Sequence, residues 1–168
     1  VCIKPLYRWK IKQRAESDTQ FQQEYVERFG PFQPPKNINA IWFHVVSVGE
    51  TNAALPLIEH YLKLGHVVLV TNTTKTGQAR AKSLFHKSPY LDLFQAVYLP
   101  VDQTPLLKQF FDLYQPRILA LVETEIWPNL IAEARQRQIP CILLNARLSE
   151  KSAKGDGKVR RLTQPMLQ

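Results

Sequence analysis

Two glutamates in this sequence follow apolar runs that predict β-strands, and the end of a strand is a common place for a reactive carboxylate. Glu50 ends the turn Ser47-Val48-Gly49-Glu50 after a short apolar run, and Glu123 directly follows the apolar run Ile118–Val122. A positioned carboxylate can accept the proton that a hydroxyl nucleophile loses as it attacks. Glu50 and Glu123 are therefore the candidates for acid–base chemistry.

Both candidates also have a structural interpretation. A glutamate at a helix N-terminus is favoured by the helix dipole, which would explain Glu50 without catalysis. Glu123 and Glu125 flank Thr124, and two carboxylates that face one site repel each other. We predict that Glu125 caps the next helix, with Pro128 in its first turn, and that Glu123 faces the site.

Three further polar turns could bind a ligand. They are Thr71–Gly77, Asp102, and Asn145-Ala146-Arg147, each of which follows an apolar run. The turn at Ser47–Glu50 lacks the further glycines of G-x-G-x-x-G, and Thr71–Gly77 lacks the Gly-Lys-Ser/Thr of a P-loop. A dinucleotide or P-loop enzyme is therefore not expected, although a helix after Gly49 can still present N–H groups to an anion.

The histidines, cysteines and serines favour neither a metal centre nor a serine hydrolase. The four histidines have no metal-ligand spacing, so we predict no metal site. His44 lies inside an apolar run and is expected to be buried and hydrogen-bonded, although a site-lining role stays open. Ser47 has no G-x-S-x-G context. Cys2 and Cys141 are isolated, which excludes a disulfide framework and a zinc ribbon.

The elements that must position these residues alternate regularly. Apolar runs predict five strands, at residues 41–47, 66–70, 95–99, 117–122 and 141–144. Helical spacing predicts intervening helices at residues 52–64, 78–86, 105–113 and 127–137, and one more helix ahead of the first strand at residues 20–29. The predicted fold class is therefore α/β, a Rossmann-like doubly wound parallel sheet. Ligands bind at the carboxyl ends of the strands in such sheets, so one edge collects the polar turns.

Composition and charge narrow the class of protein. A chain of 168 residues with 45% hydrophobic and 21% charged residues is typical of about one soluble globular domain. The net charge is +8, yet residues 15–146 carry −1, because residues 1–14 hold five bases and residues 147–168 carry +4. A neutral body argues against a nucleic-acid binder. The basic ends suit an anionic membrane surface or a phosphorylated partner, or they are solvated tails.

No apolar run is long enough to span a membrane and no signal peptide is visible, so we expect this chain to be soluble and cytoplasmic.

The polar turns occur in an order that is typical of one known family. In sequence they are His44-x-x-Ser47-Val48-Gly49-Glu50, Thr71 to Gly77, Tyr98-Leu99-Pro100-Val101-Asp102, Glu123-Thr124-Glu125-Ile126-Trp127-Pro128-Asn129-Leu130-Ile131 and Asn145-Ala146-Arg147-Leu148-Ser149. Together with Glu27-Arg28-Phe29-Gly30 upstream, they strongly resemble the amino-terminal half of the 3-deoxy-D-manno-octulosonic acid (Kdo) transferases of lipopolysaccharide biosynthesis. Two departures are Lys75, where many members have proline, and Gly155-Asp156-Gly157, where a tyrosine-containing segment is more usual.

The resemblance implies one half of a two-domain GT-B glycosyltransferase. It implies transfer of Kdo from CMP-Kdo to a lipid A precursor (lipid IVA), with Glu50 as general base and Glu123 as transition-state stabiliser. No cofactor is implied beyond the donor substrate. Substrate binding is assigned to further residues of the same turns, namely Ser47, Gly49, Thr74, Thr76, Gly77, Glu125, Asn145 and Arg147.

A different class of function stays open on the residues alone. A non-catalytic Rossmann-like module could bind a nucleotide or an anionic lipid at the same edge. Carboxylates at the positions of Glu50 and Glu123 favour the enzyme, because a binder of anions gains nothing from them.

The resemblance also implies an organisation and a location. We expect a basic membrane-proximal segment and helix at residues 1–36, an acceptor domain at residues 37–150, and a basic tail at residues 151–168 that leads to a CMP-Kdo-binding domain outside this sequence. The full-length protein is expected at the cytoplasmic side of the inner membrane, with an apolar anchor ahead of Val1 or a peripheral attachment. The isolated chain is expected to be inactive alone, and nucleic acid is not an expected partner.

Overall fold

A single parallel sheet organises the structure. The computed structural model describes residues 9, 12–13, 19–85, 89–123 and 127–145. The strands are β1 (Ile41–His44), β2 (Val68–Asn72), β3 (Phe94–Tyr98), β4 (Ile118–Val122) and β5 (Cys141–Leu144). Their spatial order is β3-β2-β1-β4-β5, and every neighbouring pair is parallel. The predicted α/β class with a Rossmann-like parallel sheet is confirmed.

Helices connect the strands. They are α1 (Thr19–Phe29) ahead of the sheet, then α2 (Val48–Lys63), α3 (Lys75–Leu84), α4 (Thr104–Tyr114) and α5 (Pro128–Gln136), each of which links two consecutive strands. Two apolar cores result, one on each face of the sheet. Trp42 packs on Phe110 of α4, while its neighbour Phe43 points to the opposite face, in the core that contains Ile58 of α2.

The sheet is not covered equally along its width. Every residue of β1 is buried, but Ile142 and Leu143 of the edge strand β5 are 45% and 50% exposed. The central strands are therefore covered on both faces of the sheet, whereas β5 is partly exposed.

Several element boundaries next to the candidate site differ from the prediction. The strand β1 ends at His44 instead of residue 47, and α2 begins at Val48 instead of residue 52, because Ser47 is the helix N-cap. The strand β2 extends to Asn72, so Thr71 and Asn72 are buried strand residues and not part of a turn. The Thr71 hydroxyl accepts the Trp42 indole N–H and the Asn72 amide donates to the Val45 carbonyl, which offsets part of the cost of burying these polar side chains.

The helix α1 lies against the carboxyl end of the edge strand β3. The Glu27 carboxylate accepts the backbone N–H of Tyr98 at 2.7 Å, so it takes the place that a neighbouring strand's carbonyl would have. Burial raises the pKa of Glu27, and the hydrogen bond from Tyr98 acts in the opposite direction. The helix ends as predicted at Gly30, whose φ is +76°.

No helix in the described part of the chain is both long enough and apolar enough to span a membrane. Most of the two basic ends lies outside the described residues.

Candidate functional site

The turn after β1 is closed by a reciprocal set of hydrogen bonds. The backbone N–H of Glu50 donates to the Ser47 hydroxyl oxygen at 3.3 Å, and that hydroxyl donates to Glu50 Oε1 at 3.1 Å. Glu50 Oε2 accepts the backbone N–H of Val46 at 2.7 Å. This arrangement is a capping box shifted by one residue, and it explains why a valine and a glycine begin the helix. Glu50 is only 6% exposed, so its carboxylate is buried within the turn and does not reach into an open cleft.

The turn after β2 is fastened to the same place. Thr74 is the N-cap of α3, and its hydroxyl oxygen accepts the backbone N–H of Gly77 at 3.1 Å. The same hydroxyl donates to the Val46 carbonyl at 2.9 Å, and the backbone N–H of Thr74 donates to that carbonyl at 3.2 Å. The Asn72 side-chain amide donates to the carbonyl of Val45, the residue before Val46, at 2.9 Å.

Val46 therefore joins the N-termini of α2 and α3. Its N–H is held by Glu50 and its carbonyl by Thr74, which brings together five of the predicted site residues, namely Ser47, Gly49, Glu50, Thr74 and Gly77. Thr76 is exposed on the same first turn of α3. A helix N-terminus carries about half a unit of positive charge, so two of them side by side favour an anion or a group on which negative charge develops.

The two glycines of the site have different surroundings. A Cβ atom at Gly77 would lie 2.8 Å from Thr74 Oγ1 and 3.0 Å from the Val46 carbonyl, so the close contact between the two turns requires glycine there. A Cβ atom at Gly49 would meet only Ser47 Oγ, at 3.7 Å. Folding does not require a glycine at residue 49, and the surface over it is open to a ligand.

Glu123 and Asn145 form a second part of the same edge. Glu123 follows β4, the strand beside β1, and its backbone N–H donates to the Leu144 carbonyl at 2.8 Å. Both residues are in the left-handed region, with φ of 65° and 52°, so the chain turns sharply as it leaves these strands. Glu123 is half-buried and Asn145 is exposed. The predicted site residues Glu125 and Arg147 lie outside the described residues.

Asp102, which the sequence offered as a ligand-binding residue, caps a helix at the carboxyl edge. Its Oδ1 accepts the backbone N–H of Leu130 at 2.9 Å, and its Oδ2 accepts the side-chain amide of Asn129 at 3.2 Å. Asp102 thus caps α5 from the turn after β3, since the N-cap residue Trp127 makes no side-chain capping bond. The N–H of Leu130 is thus satisfied by Asp102, and the capping role predicted for Glu125 lies outside the described residues.

His44 is a buried, hydrogen-bonded side chain, as predicted. Its Nδ1 lies 2.9 Å from Thr71 Oγ1, which also accepts the Trp42 indole N–H at 2.8 Å. Burial lowers the pKa of His44 to about 3, opposed by a smaller contribution from the Thr71 backbone. The imidazole is therefore neutral at physiological pH, and it packs edge-on against Trp127 with ring centres 5.2 Å apart.

Sequence reasoning missed the residues that attach α1 to this edge. Arg28 donates to the Thr73 carbonyl, in the turn that leads to Thr74, and to the Glu24 carboxylate at 3.0 Å. The available signal was the segment Glu27-Arg28-Phe29-Gly30, which shares the family resemblance and to which the sequence assigned no role.

Two other features bear on ligands. Within the described ranges, no group of three or more His, Cys, Asp or Glu side chains could hold a metal ion, and the expected absence of a metal stays a prediction. A groove of about 480 Å³ lies between α1, β3 and α4, and it contains none of the predicted site residues.

Comparison with known proteins identifies the family of the chain. The sequence profile of the family described as 3-deoxy-D-manno-octulosonic-acid transferase (kdotransferase) matches residues 23–168. The chain belongs to the Kdo transferase family. The match includes both helix N-termini at Val46, the turn at Glu123 and the α1 residue Arg28.

Relatives come from distant organisms. The chain is 36% identical over 153 residues to the 3-deoxy-D-manno-octulosonic acid transferase of Bordetella pertussis. The aligned region covers 90% of this chain and 36% of that protein. It is 36% identical over 155 residues to the enzyme of the same name from Haemophilus influenzae, covering 87% and 34%. It is 35% identical over 157 residues to a probable mitochondrial 3-deoxy-D-manno-octulosonic acid transferase of Arabidopsis thaliana, covering 90% and 34%. The chain thus spans about a third of the length of these relatives.

The contrast between the two glycines predicts opposite responses to alanine in this Kdo transferase chain. Gly77→Ala should lower the free energy of unfolding by about 1–3 kcal/mol, because the methyl group meets Thr74 and the Val46 backbone. Gly49→Ala should be neutral or stabilise by up to about 1 kcal/mol, because alanine is the better helix former and has room. Denaturant unfolding of both variants measures this, and equal losses of stability would contradict the contact.

The burial of His44 predicts a pH dependence of stability. Below pH 6.5 the His44 imidazole is protonated in the unfolded chain, whereas in the folded protein it stays neutral until about pH 3. The free energy of unfolding therefore falls as the pH falls through this window. Between pH 7 and pH 5 the unaltered protein should lose about 2 kcal/mol more than His44→Gln. His60→Gln changes an exposed histidine and is the control. Urea titration at each pH measures the free energy of unfolding. The same pH dependence in the unaltered protein and in His44→Gln would refute the prediction.

Proposed function

We propose that this chain is the acceptor-binding domain of a Kdo transferase that moves Kdo from CMP-Kdo to a hydroxyl group of a lipid A precursor such as lipid IVA. One observation carries the proposal, namely that the Glu50 carboxylate and two helix N-termini converge on Val46 at the carboxyl edge of the sheet. The family to which the chain belongs supports Kdo transfer, and it favours CMP-Kdo as the sugar-nucleotide donor.

In the proposed reaction, the acceptor oxygen attacks the anomeric carbon of Kdo. The bond from that carbon to the CMP phosphate breaks, and CMP leaves with the electron pair. The hydroxyl proton passes to Glu50, which must come within about 2.6–3.2 Å of the acceptor oxygen. The hydrogen bonds from Val46 and Ser47 hold the Glu50 carboxylate in a fixed orientation for this step.

The acceptor approaches Glu50 over Gly49 in this proposal. The missing side chain at Gly49 leaves a surface on which Ser47 Oγ is the near neighbour, and the exposed Thr76 lies on the adjoining helix turn. The N-termini of α2 and α3 stabilise anionic groups of the substrates. Glu123, on the strand next to β1, is the transition-state stabiliser, and Glu125, Asn145 and Arg147 extend the acceptor site.

A second domain, outside residues 37–150, binds CMP-Kdo in this proposal, as in a two-domain GT-B enzyme. Since the chain spans only about a third of its relatives' length, transfer is proposed for the native polypeptide that contains it. The basic ends attach that polypeptide to the anionic inner membrane, on its cytoplasmic side. The site needs no cofactor in this scheme, because the donor substrate carries the leaving group.

One observation favours a second candidate, a non-catalytic module that binds an anionic lipid or nucleotide. Both Glu50 oxygens are engaged by the capping box, so Glu50 could be a cap and nothing more. The helix N-termini would then bind the anion, and the carboxylate would only stabilise α2.

Glu50→Gln in the native polypeptide separates these candidates. With labelled CMP-Kdo and a lipid A precursor, the catalytic proposal predicts that kcat falls about 10²- to 10⁴-fold while the melting temperature and acceptor affinity change little. Glu59→Gln, farther along the same helix, is the control and should keep normal turnover. Near-normal kcat in Glu50→Gln would leave Glu50 a cap, and no transfer by the unaltered protein would overturn the proposed function.

A further inference from the structure

Arg28 connects α1 to three other parts of the carboxyl edge. Its Nε donates to Glu24 Oε1 at 3.0 Å within α1, and its Nη2 donates to the Thr73 carbonyl after β2. Its guanidinium carbon lies 4.6 Å from the centre of the Tyr98 ring at the end of β3. The Arg28 backbone carbonyl accepts the N–H of Val101 at 3.0 Å. Arg28 is only 7% exposed, so these contacts are shielded from water.

The position of the Thr73 carbonyl affects the position of the N-cap of α3. Thr73 immediately precedes Thr74, whose hydroxyl and N–H both bind the Val46 carbonyl. A shift of the 73–74 peptide would therefore move the N-cap of α3 relative to Glu50. Lys75 adds a weaker tie, since its Nζ lies 3.8 Å from Glu24 Oε2 and its side chain is 48% exposed.

Arginine suits this position better than lysine does. The planar guanidinium presents several N–H groups in a fixed fork, so it can hold a carboxylate, a carbonyl and an aromatic face at once. A lysine ammonium is a point charge on a flexible stem and cannot meet all three. Hydrogen bonds donated by a charged group such as the Arg28 guanidinium are also stronger than those from a neutral donor.

We propose that Arg28 is a positioning residue for acceptor binding. By holding the Thr73 carbonyl, it fixes the N-terminus of α3 against Val46, so that Thr74, Thr76 and Gly77 keep a constant geometry toward Ser47–Glu50. The ligand in this proposal rests on the proposed function, whereas the positioning itself does not. Loss of Arg28 weakens acceptor binding and leaves the chemical step at Glu50 nearly intact.

Three variants of the native polypeptide test this. Arg28→Gln removes the charge and the fork, and Arg28→Lys keeps the charge without the fork. Arg137→Gln is the matched control, because Arg137 also forms a network, donating to Asp112 at 2.6 Å and to Glu133 at 3.1 Å. That network lies at the end of α5, on the opposite edge of the sheet.

The first measurement is amide hydrogen exchange, which needs no substrate. In Arg28→Gln, the amides of Thr74, Gly77 and Gln78 should exchange about tenfold faster than in the unaltered protein, with a smaller increase in Arg28→Lys. In Arg137→Gln these three amides should exchange at the unaltered rate.

The second measurement separates KM from kcat. Arg28→Gln should raise KM for the lipid A precursor about tenfold and keep kcat within about twofold, and Arg137→Gln should change neither. Unchanged exchange in both Arg28 variants would overturn the positioning role, as would equal effects of Arg28→Gln and Arg137→Gln on exchange and KM. If Arg28→Gln does not fold, Arg28→Lys decides by the same criteria. Absence of Kdo transfer in the unaltered protein would overturn the proposed function alone, because hydrogen exchange still tests the positioning.

Discussion

The backbone of Val46 is the point on which the site depends. Its N–H is satisfied by the Glu50 carboxylate and its carbonyl by Thr74, so one residue after the central strand β1 fixes the first turns of two helices. Backbone N–H and C=O groups need hydrogen-bond partners, and here the partners are side chains that the proposed chemistry also uses. The capping function and the proposed catalytic function of Glu50 are thus two uses of one carboxylate.

Beyond Val46, each tie to the edge comes from a different part of the chain. Arg28 of α1 holds Thr73, Asn72 of β2 holds Val45, and Glu123 after β4 holds the end of β5. These hydrogen bonds between distant segments suit a rigid scaffold for such an edge. Rigid elements hold reacting groups in place better than loops do, which is what transfer between two bound substrates demands.

The sequence predicted the fold well because apolar runs and helical spacing repeat with little ambiguity. It misplaced the start of α2, because Val48 and Gly49 are poor helix formers and only the reciprocal bonds of Ser47 and Glu50 show that the helix begins there. The end of β2 was misplaced for a related reason. Thr71 and Asn72 look like turn residues, and their burial depends on partners in β1 that are far away in sequence.

For the site, the sequence predicted which residues lie at the carboxyl edge but not what each of them does there. Asp102 looked like a ligand-binding carboxylate and is a helix cap, since its partners Asn129 and Leu130 are more than 25 residues away. Arg28 was missed because its partner Thr73 is 45 residues away. Long-range contacts of this kind have no periodicity to reveal them. They become visible only when the fold places the residues together.

In the proposed function, the turns at Ser47–Glu50 and Thr74–Gly77 form one binding site for the acceptor. An NMR titration of the isotope-labelled native polypeptide with a deacylated, water-soluble lipid A precursor tests this directly. The backbone amide signals of both turns should shift together and give one dissociation constant. Shifts confined to the groove beside β3, or to one turn alone, would contradict it.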